Sequence, residues 1–204
     1  MAVLTAAVEG IVDEVALRRV CGYAGACIGI VYGRSGKSYV LSRLSGYNNS
    51  ARFRHWVVLL DLDNDAVCAP AILQSWLPNP SQLMRLRVAV REVEAWIMAD
   101  AERLASFLGV AVRDIPASPD GLTDPKLAVV TLARGSRRRA IRDDMVPKPG
   151  SGQSVGPAYA SRMIEFLQDP DSGWRVDVAS LNSESLRKCI AAIAGLASQG
   201  FPDA

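Results

Sequence analysis

The stretch Trp56-Val57-Val58-Leu59-Leu60-Asp61-Leu62-Asp63-Asn64-Asp65 constrains the fold most. An unbroken apolar run, rich in Val and Leu, leads directly into three acids at alternate positions. Such a run suits a strand buried on both faces, as in a parallel sheet covered by helices. The acids then fall at its carboxyl end, where open α/β sheets form their ligand crevice. Asp61 and Asp63 are two apart, so in an extended chain they project from the same side. Carboxylates held side by side repel and need a neutralising partner. Mg²⁺ is commonly held by one or two carboxylates together with water and substrate phosphates. The same residues also make an ordinary solvated turn, since Asp and Asn are turn formers. Both readings stand at this point.

The remaining pattern extends the α/β reading. Ala2 to Val8, Cys27 to Tyr32, Trp56 to Leu60 and Leu83 to Val90 read as strands. Between them, Val12 to Val20, Gly36 to Leu44 and Pro70 to Leu77 read as helices. In the first helix Val12, Val15, Ala16 and Val20 form a partial apolar stripe, with Asp13, Glu14 and Arg18 on polar positions. Glu92 to Leu108 reads as one or two further helices. The resulting β-α-β-α-β-α-β-α order predicts a parallel sheet with helices on both faces. Beyond Gly109 prolines recur, and helices are expected over 125–132, 159–167 and 183–197, the last with Ser183 as N-cap. We expect an α/β core over 1–110 and a helical C-terminal region over 111–204 packed on it.

Composition narrows the function. The net charge of +2 leaves nucleic-acid binding to local clusters. Cys21, Cys27, Cys68 and Cys189 show no CxxC spacing, and His55 is the lone histidine, which argues against zinc. The cysteines read as buried thiols of a reducing cytosol. No apolar run reaches the length of a membrane span, and the apolar start lacks the basic flank of a signal peptide.

Four clusters are candidates for chemistry. Glu9 closes the first strand before a Gly and a helix. It reads as a metal ligand or general acid/base, or as a helix-start acid favoured by the macrodipole. Glu92 and Glu94 follow the fourth strand and carry the same two readings. Arg134, Arg137, Arg138, Arg139, Arg142 and Lys148 form a basic run beside Pro149-Gly150-Ser151-Gly152. The run could hold a phosphate backbone or be a solvated face, and Lys126 after Asp124-Pro125 is a further candidate for a phosphate contact. Gly33-Arg34-Ser35-Gly36-Lys37-Ser38 looks like the end of a P-loop, but Val31 stands where the first Gly belongs. A turn with an incidental basic residue reads better, and His55 reads as structural.

Glu9 within Val8-Glu9-Gly10-x-x-Asp13-Glu14, followed by Asp61-Leu62-Asp63, resembles the Toprim fold. That is the metal-binding domain of topoisomerases, bacterial primases, ribosomal-RNA maturases and overcoming-lysogenization-defect nucleases. Four segments resemble an uncharacterised bacterial group of Toprim-like proteins of similar length. They are Asp61 to Pro70, Arg91 to Asp100, Asp124-Pro125-Lys126 and Gly156-Pro157-x-Tyr159.

The resemblance implies Mg²⁺ or Mn²⁺ on Asp61 and Asp63. Glu9 would complete the shell or act as general acid/base, and Glu92 and Glu94 would hold a second metal. It implies a nuclease or other phosphoryl-transfer protein, with Arg137, Arg138, Arg139 and Arg142 on the strand backbone. It also implies an ABC- or SMC-like ATPase partner, a role in anti-phage defence and a cytoplasmic location. No Tyr stands in a topoisomerase context, and the chain is short for a primase. The alternative is a non-catalytic Toprim-like subunit that binds an ATPase or nucleic acid and keeps its acids as a remnant.

Overall fold

The structure, a computed structural model, describes residues 1–63, 65 and 69–199. Of the motif running from Asp61 to Pro70, Asn64, Ala66, Val67 and Cys68 therefore lie outside the described residues. The chain divides into two units. One comprises Met1–Val90 together with the segment from Ser185 onward, and the other Arg91–Glu184.

In the first unit the elements are β1 (Ala2–Val8), α1 (Ile11–Tyr23), β2 (Ala26–Gly33), α2 (Lys37–Ser50), β3 (Trp56–Asp61), α3 (Ala69–Trp76) and β4 (Met84–Ala89). The second unit carries α4 (Val93–Met98), α5 (Ala101–Leu108), α6 (Pro125–Arg134), α7 (Arg139–Met145), α8 (Tyr159–Gln168) and α9 (Val176–Asn182). Helix α10 (Glu184–Ala197) leads back into the first.

The four strands form one all-parallel sheet in the order β2-β1-β3-β4, so the fold is α/β as expected. Every residue of β3 is buried, as its apolar run requires. Trp56, Val58 and Leu60 pack with Ala7 against Val40, Leu44, Tyr47 and Ala51 of α2 and its C-cap, and with Trp76 after them. Tyr47 stacks on the Trp56 ring at 4.9 Å between centroids. The alternate residues Val57 and Leu59 face the other way and are equally buried. That second face is served by α1 and α10, whose Cys21 and Cys189 are electrostatic neighbours. Burial pushes the Cys189 thiol up to about 12, so both act as apolar side chains.

Two local features depart from expectation. Helix α2 runs to Ser50, past Gly46, Asn48 and Asn49, all weak helix formers. Burial of Val40, Leu44 and Tyr47 at helical spacing outweighs that, at about 1.5–3 kcal/mol per large side chain. Asp13 and Glu14, expected on the polar side of α1, are buried. Glu14 is held there by Arg18 at 2.9 Å and by Arg34. Burial opposes its charge, but the two guanidiniums outweigh this and hold its carboxyl below the ordinary range.

The second unit is helical throughout its described secondary structure. Its core joins Trp96, Phe166 and Trp174, all essentially inaccessible. The Trp174 indole N–H donates to the Trp96 carbonyl at 3.2 Å. Asp100, fully buried, accepts hydrogen bonds from the Arg175 amide (2.9 Å), Nε (3.0 Å) and Nη2 (2.6 Å). Among the described residues, no helix is long and apolar enough to cross a membrane.

Candidate metal centre

Because the strands are parallel, the ends of β1, β2 and β3 share one edge of the sheet, and the acids of the first unit gather there. Glu9 follows β1 directly. Its Oε1 accepts the backbone N–H of Asp61 at 2.7 Å, which ties the end of β1 to the end of β3. Burial pushes the Glu9 carboxyl up to about 7. The Asp61 N–H and the Lys37 ammonium pull it down, and the charges of Asp13 and Asp63 push it up further. Asp61, the last residue of β3, is buried on the face shared with Val57 and Leu59.

Asp63 lies past the strand in a left-handed conformation (φ +48°), which Asp tolerates better than most residues. The chain therefore turns before Asp63, and the simple extended-chain alternation with Asp61 does not hold. The carboxylate of Asp63 meets Lys37 Nζ at 2.5 Å, and Asp65 meets the same ammonium at 2.7 Å. Lys37 opens α2, directly after the glycine loop that closes β2. Gly33 is required in that loop: a Cβ there would stand 2.2 Å from the Val8 carbonyl oxygen. Burial works against the Lys37 charge, but Asp63 and Asp65 outweigh it and raise the ammonium above its ordinary value. The basic residue of this loop is thus no incidental feature. It is the internal counter-charge for Asp63 and Asp65, the two acids just after β3. Nothing local in the sequence pairs residues 26 and 28 positions apart.

The second unit has acids of its own, Glu92 and Glu94. Glu92 accepts the Lys126 amide at 2.7 Å and its ammonium at 3.0 Å. The same ammonium lies 3.7 Å from Glu94. Tyr159, buried, donates its hydroxyl to Glu94 Oε1 at 3.1 Å. Burial raises the Tyr159 phenol well above its ordinary value, and Glu94 adds to this, so it remains a donor. Asp124 caps α6 by accepting the Leu127 amide at 2.7 Å, and Pro125 occupies the first helical turn. Three sequence segments, around residues 92–94, 124–126 and 156–159, thus meet at one place. Lys126, expected on a phosphate, has its ammonium on these glutamates.

Asp61, Glu92 and Glu94 each offer a carboxylate oxygen suited to a metal ion, and no metal type is indicated. The basic run has a more local task. Ser136 Oγ donates to the Leu108 carbonyl, Arg137 Nε to the Gly109 carbonyl at 3.4 Å, and Arg138 Nη1 to the Phe107 carbonyl at 3.1 Å. These are carbonyls that the end of α5 leaves without helical partners. Arg139 pairs with Asp143 one turn along α7 at 3.3 Å. Arg142 donates to the Ser136 carbonyl. His55 is buried, and its carbonyl accepts the Thr5 amide at 2.9 Å, a structural place.

No protein-family model, curated protein or solved structure matches this chain.

Proposed function

We propose that the protein is a divalent-metal-dependent phosphoryl-transfer enzyme of Toprim type that cleaves nucleic acid. The observation that carries this reading is the 2.7 Å bond between Glu9 and the Asp61 amide, with Asp63 two residues on. It joins acids from two neighbouring strand ends at the ligand-binding edge of a parallel sheet. The donors are carboxylate oxygens, which suit Mg²⁺ or Mn²⁺ better than zinc. Glu9, Asp61 and Asp63 would hold the ion, and Glu92 and Glu94 a second one. The ion would supply charge neutralisation on a phosphodiester. Glu9, with its carboxyl near 7, holds or releases a proton at neutral pH and so serves proton transfer to or from a reacting oxygen. The free Cys21 and Cys189 thiols fit a reducing, cytoplasmic setting. An ABC- or SMC-like ATPase partner and a part in phage defence belong to the same reading.

The test incubates wild type and Asp61→Ala/Asp63→Ala with plasmid, single-stranded DNA and total RNA in EDTA, Mg²⁺ or Mn²⁺. Cleavage by wild type in divalent metal alone, lost in the variant, is the expected result. Equal activity of the two proteins would overturn it.

One observation favours a second reading, a non-catalytic subunit: Lys37 already neutralises Asp63 and Asp65. The variant Lys37→Met separates the two. In EDTA it should lose about 1 kcal/mol, the scale of partly exposed ion pairs. In Mg²⁺ it should gain more thermal stability than wild type does, because two carboxylates are left for the ion. An unchanged Mg²⁺ response would place the metal elsewhere and favour the subunit.

A further inference from the structure

The basic run from Arg134 to Lys148 separates into two sets. Arg137 and Arg138 are spent on the carbonyls that end α5, and Arg139 on Asp143. The other set, Arg134, Arg142 and Lys148, lines a single groove of about 510 Å³ in the second unit. Its walls are Val146, Pro147, Pro149 and Pro157. Arg134 and Lys148 are exposed and make no ion pair among the described residues. Arg142 is half-buried, with its guanidinium steadied by the Ser136 carbonyl. Asp143 also borders the groove, but its carboxylate faces Arg139 at 3.3 Å.

Three cations along one concave surface repel one another and focus a positive potential into the groove. Proline walls hold the backbone of that surface with little freedom to relax the charges apart. No aromatic side chain lines it, so it offers no platform for stacking bases. The groove shares Arg134 and Pro147 with a second cavity of about 520 Å³, bordered by Glu92, Asp124 and Lys126. A polyanion lying on the three cations is thereby led towards Glu92, one of the acids that the proposed function assigns to metal.

We propose that the groove of Arg134, Arg142 and Lys148, not the run from Arg137 to Arg139, binds the phosphodiester backbone of a nucleic-acid strand. This rests on the nucleic-acid reading above and deepens it by naming the surface. Binding is read from phosphates alone, independent of base sequence.

The experiment is fluorescence anisotropy of labelled single-stranded DNA and RNA with the full chain in EDTA, where no metal-dependent cleavage can occur. The variants are Arg134→Gln/Lys148→Gln and, as control, Arg139→Gln, each first checked for wild-type thermal unfolding. Arg134→Gln/Lys148→Gln should weaken binding by about tenfold or more, and the salt slope of log K should shrink by about 1.4, at about 0.7 per lost phosphate contact on a single strand. Arg139→Gln should stay within about twofold of wild type. Equal losses in the two variants, or wild-type binding by Arg134→Gln/Lys148→Gln, would overturn the proposal. So would capture of inorganic pyrophosphate with no oligonucleotide binding, which would mark a site for a small phosphate ligand. Groove-dependent binding without cleavage in Mg²⁺ would support the groove and remove the nuclease. Cleavage by wild type with groove-independent binding would do the reverse.

Discussion

Glu9→Gln is expected to abolish metal-dependent cleavage while making the metal-free protein more stable above pH 7. The two effects share one cause. Glu9 is held against the Asp61 amide at a partly buried strand end, and burial raises its carboxyl from 4.5 to about 7. Between those values the native protein keeps a proton that the unfolded chain has released. Stability therefore falls as pH rises through this window, and the full penalty is present above it. Allowing for the part exposure of the side chain, the penalty is about 1–2 kcal/mol. Glutamine keeps an acceptor for the Asp61 amide and cannot ionise. The melting temperature of Glu9→Gln should match wild type near pH 4.5 and exceed it by several degrees at pH 8, in EDTA. A difference that does not change with pH would show that Glu9 ionisation is not the cause. The same substitution removes a candidate metal oxygen and a proton carrier, for which losses of about 10²–10⁴ in rate are usual. Retained cleavage would take Glu9 out of the mechanism.

Arg175→Met should unfold the protein far more readily than its surface position implies. Asp100 is fully buried, and Arg175 supplies both its side-chain hydrogen bonds and an amide. Removing the guanidinium strands a buried carboxylate, at a cost of about 3 kcal/mol, the lower end for broken buried pairs because Arg175 is partly exposed. The double variant Asp100→Leu/Arg175→Met removes the stranded charge as well. It should recover part of the loss in urea or thermal unfolding. If the double variant were less stable than Arg175→Met, the attraction itself and not the orphaned charge would be the larger contribution.

The sheet was legible because its signals are local. β1 spans Ala2–Val8, the residues its apolar pattern marks, and β3 exceeds the Trp56–Leu60 run only by Asp61. Helix α7 was hidden in the run of arginines, where charge masks the apolar period of Ile141 and Met145. Helix α9 was hidden because Val, Asp, Ser and Asn are weak helix formers, and tertiary burial of Val176 and Ala179 decides it. Glu9, Asp61, Glu92 and Glu94 could be named from their places after strands. Their partners could not. Lys37 reaches Asp63 across 26 residues, and Tyr159 reaches Glu94 across 65. Arg137 and Arg138 looked like a free basic surface because carbonyls ending a helix leave no mark in a sequence.

The return of α10 to the first unit bears on how the protein is made. Residues 91–184 leave the ribosome before Cys189, Ile193 and Leu196, all inaccessible in the finished fold. The part of that sheet face that α10 covers therefore waits through the synthesis of almost half the chain. The strand ends carrying Glu9 and Asp61 exist early, yet their support from α10 comes only after residues 91–184. A nascent chain stalled before α10 would present apolar strand surface to chaperones, and any activity at that edge would wait for α10.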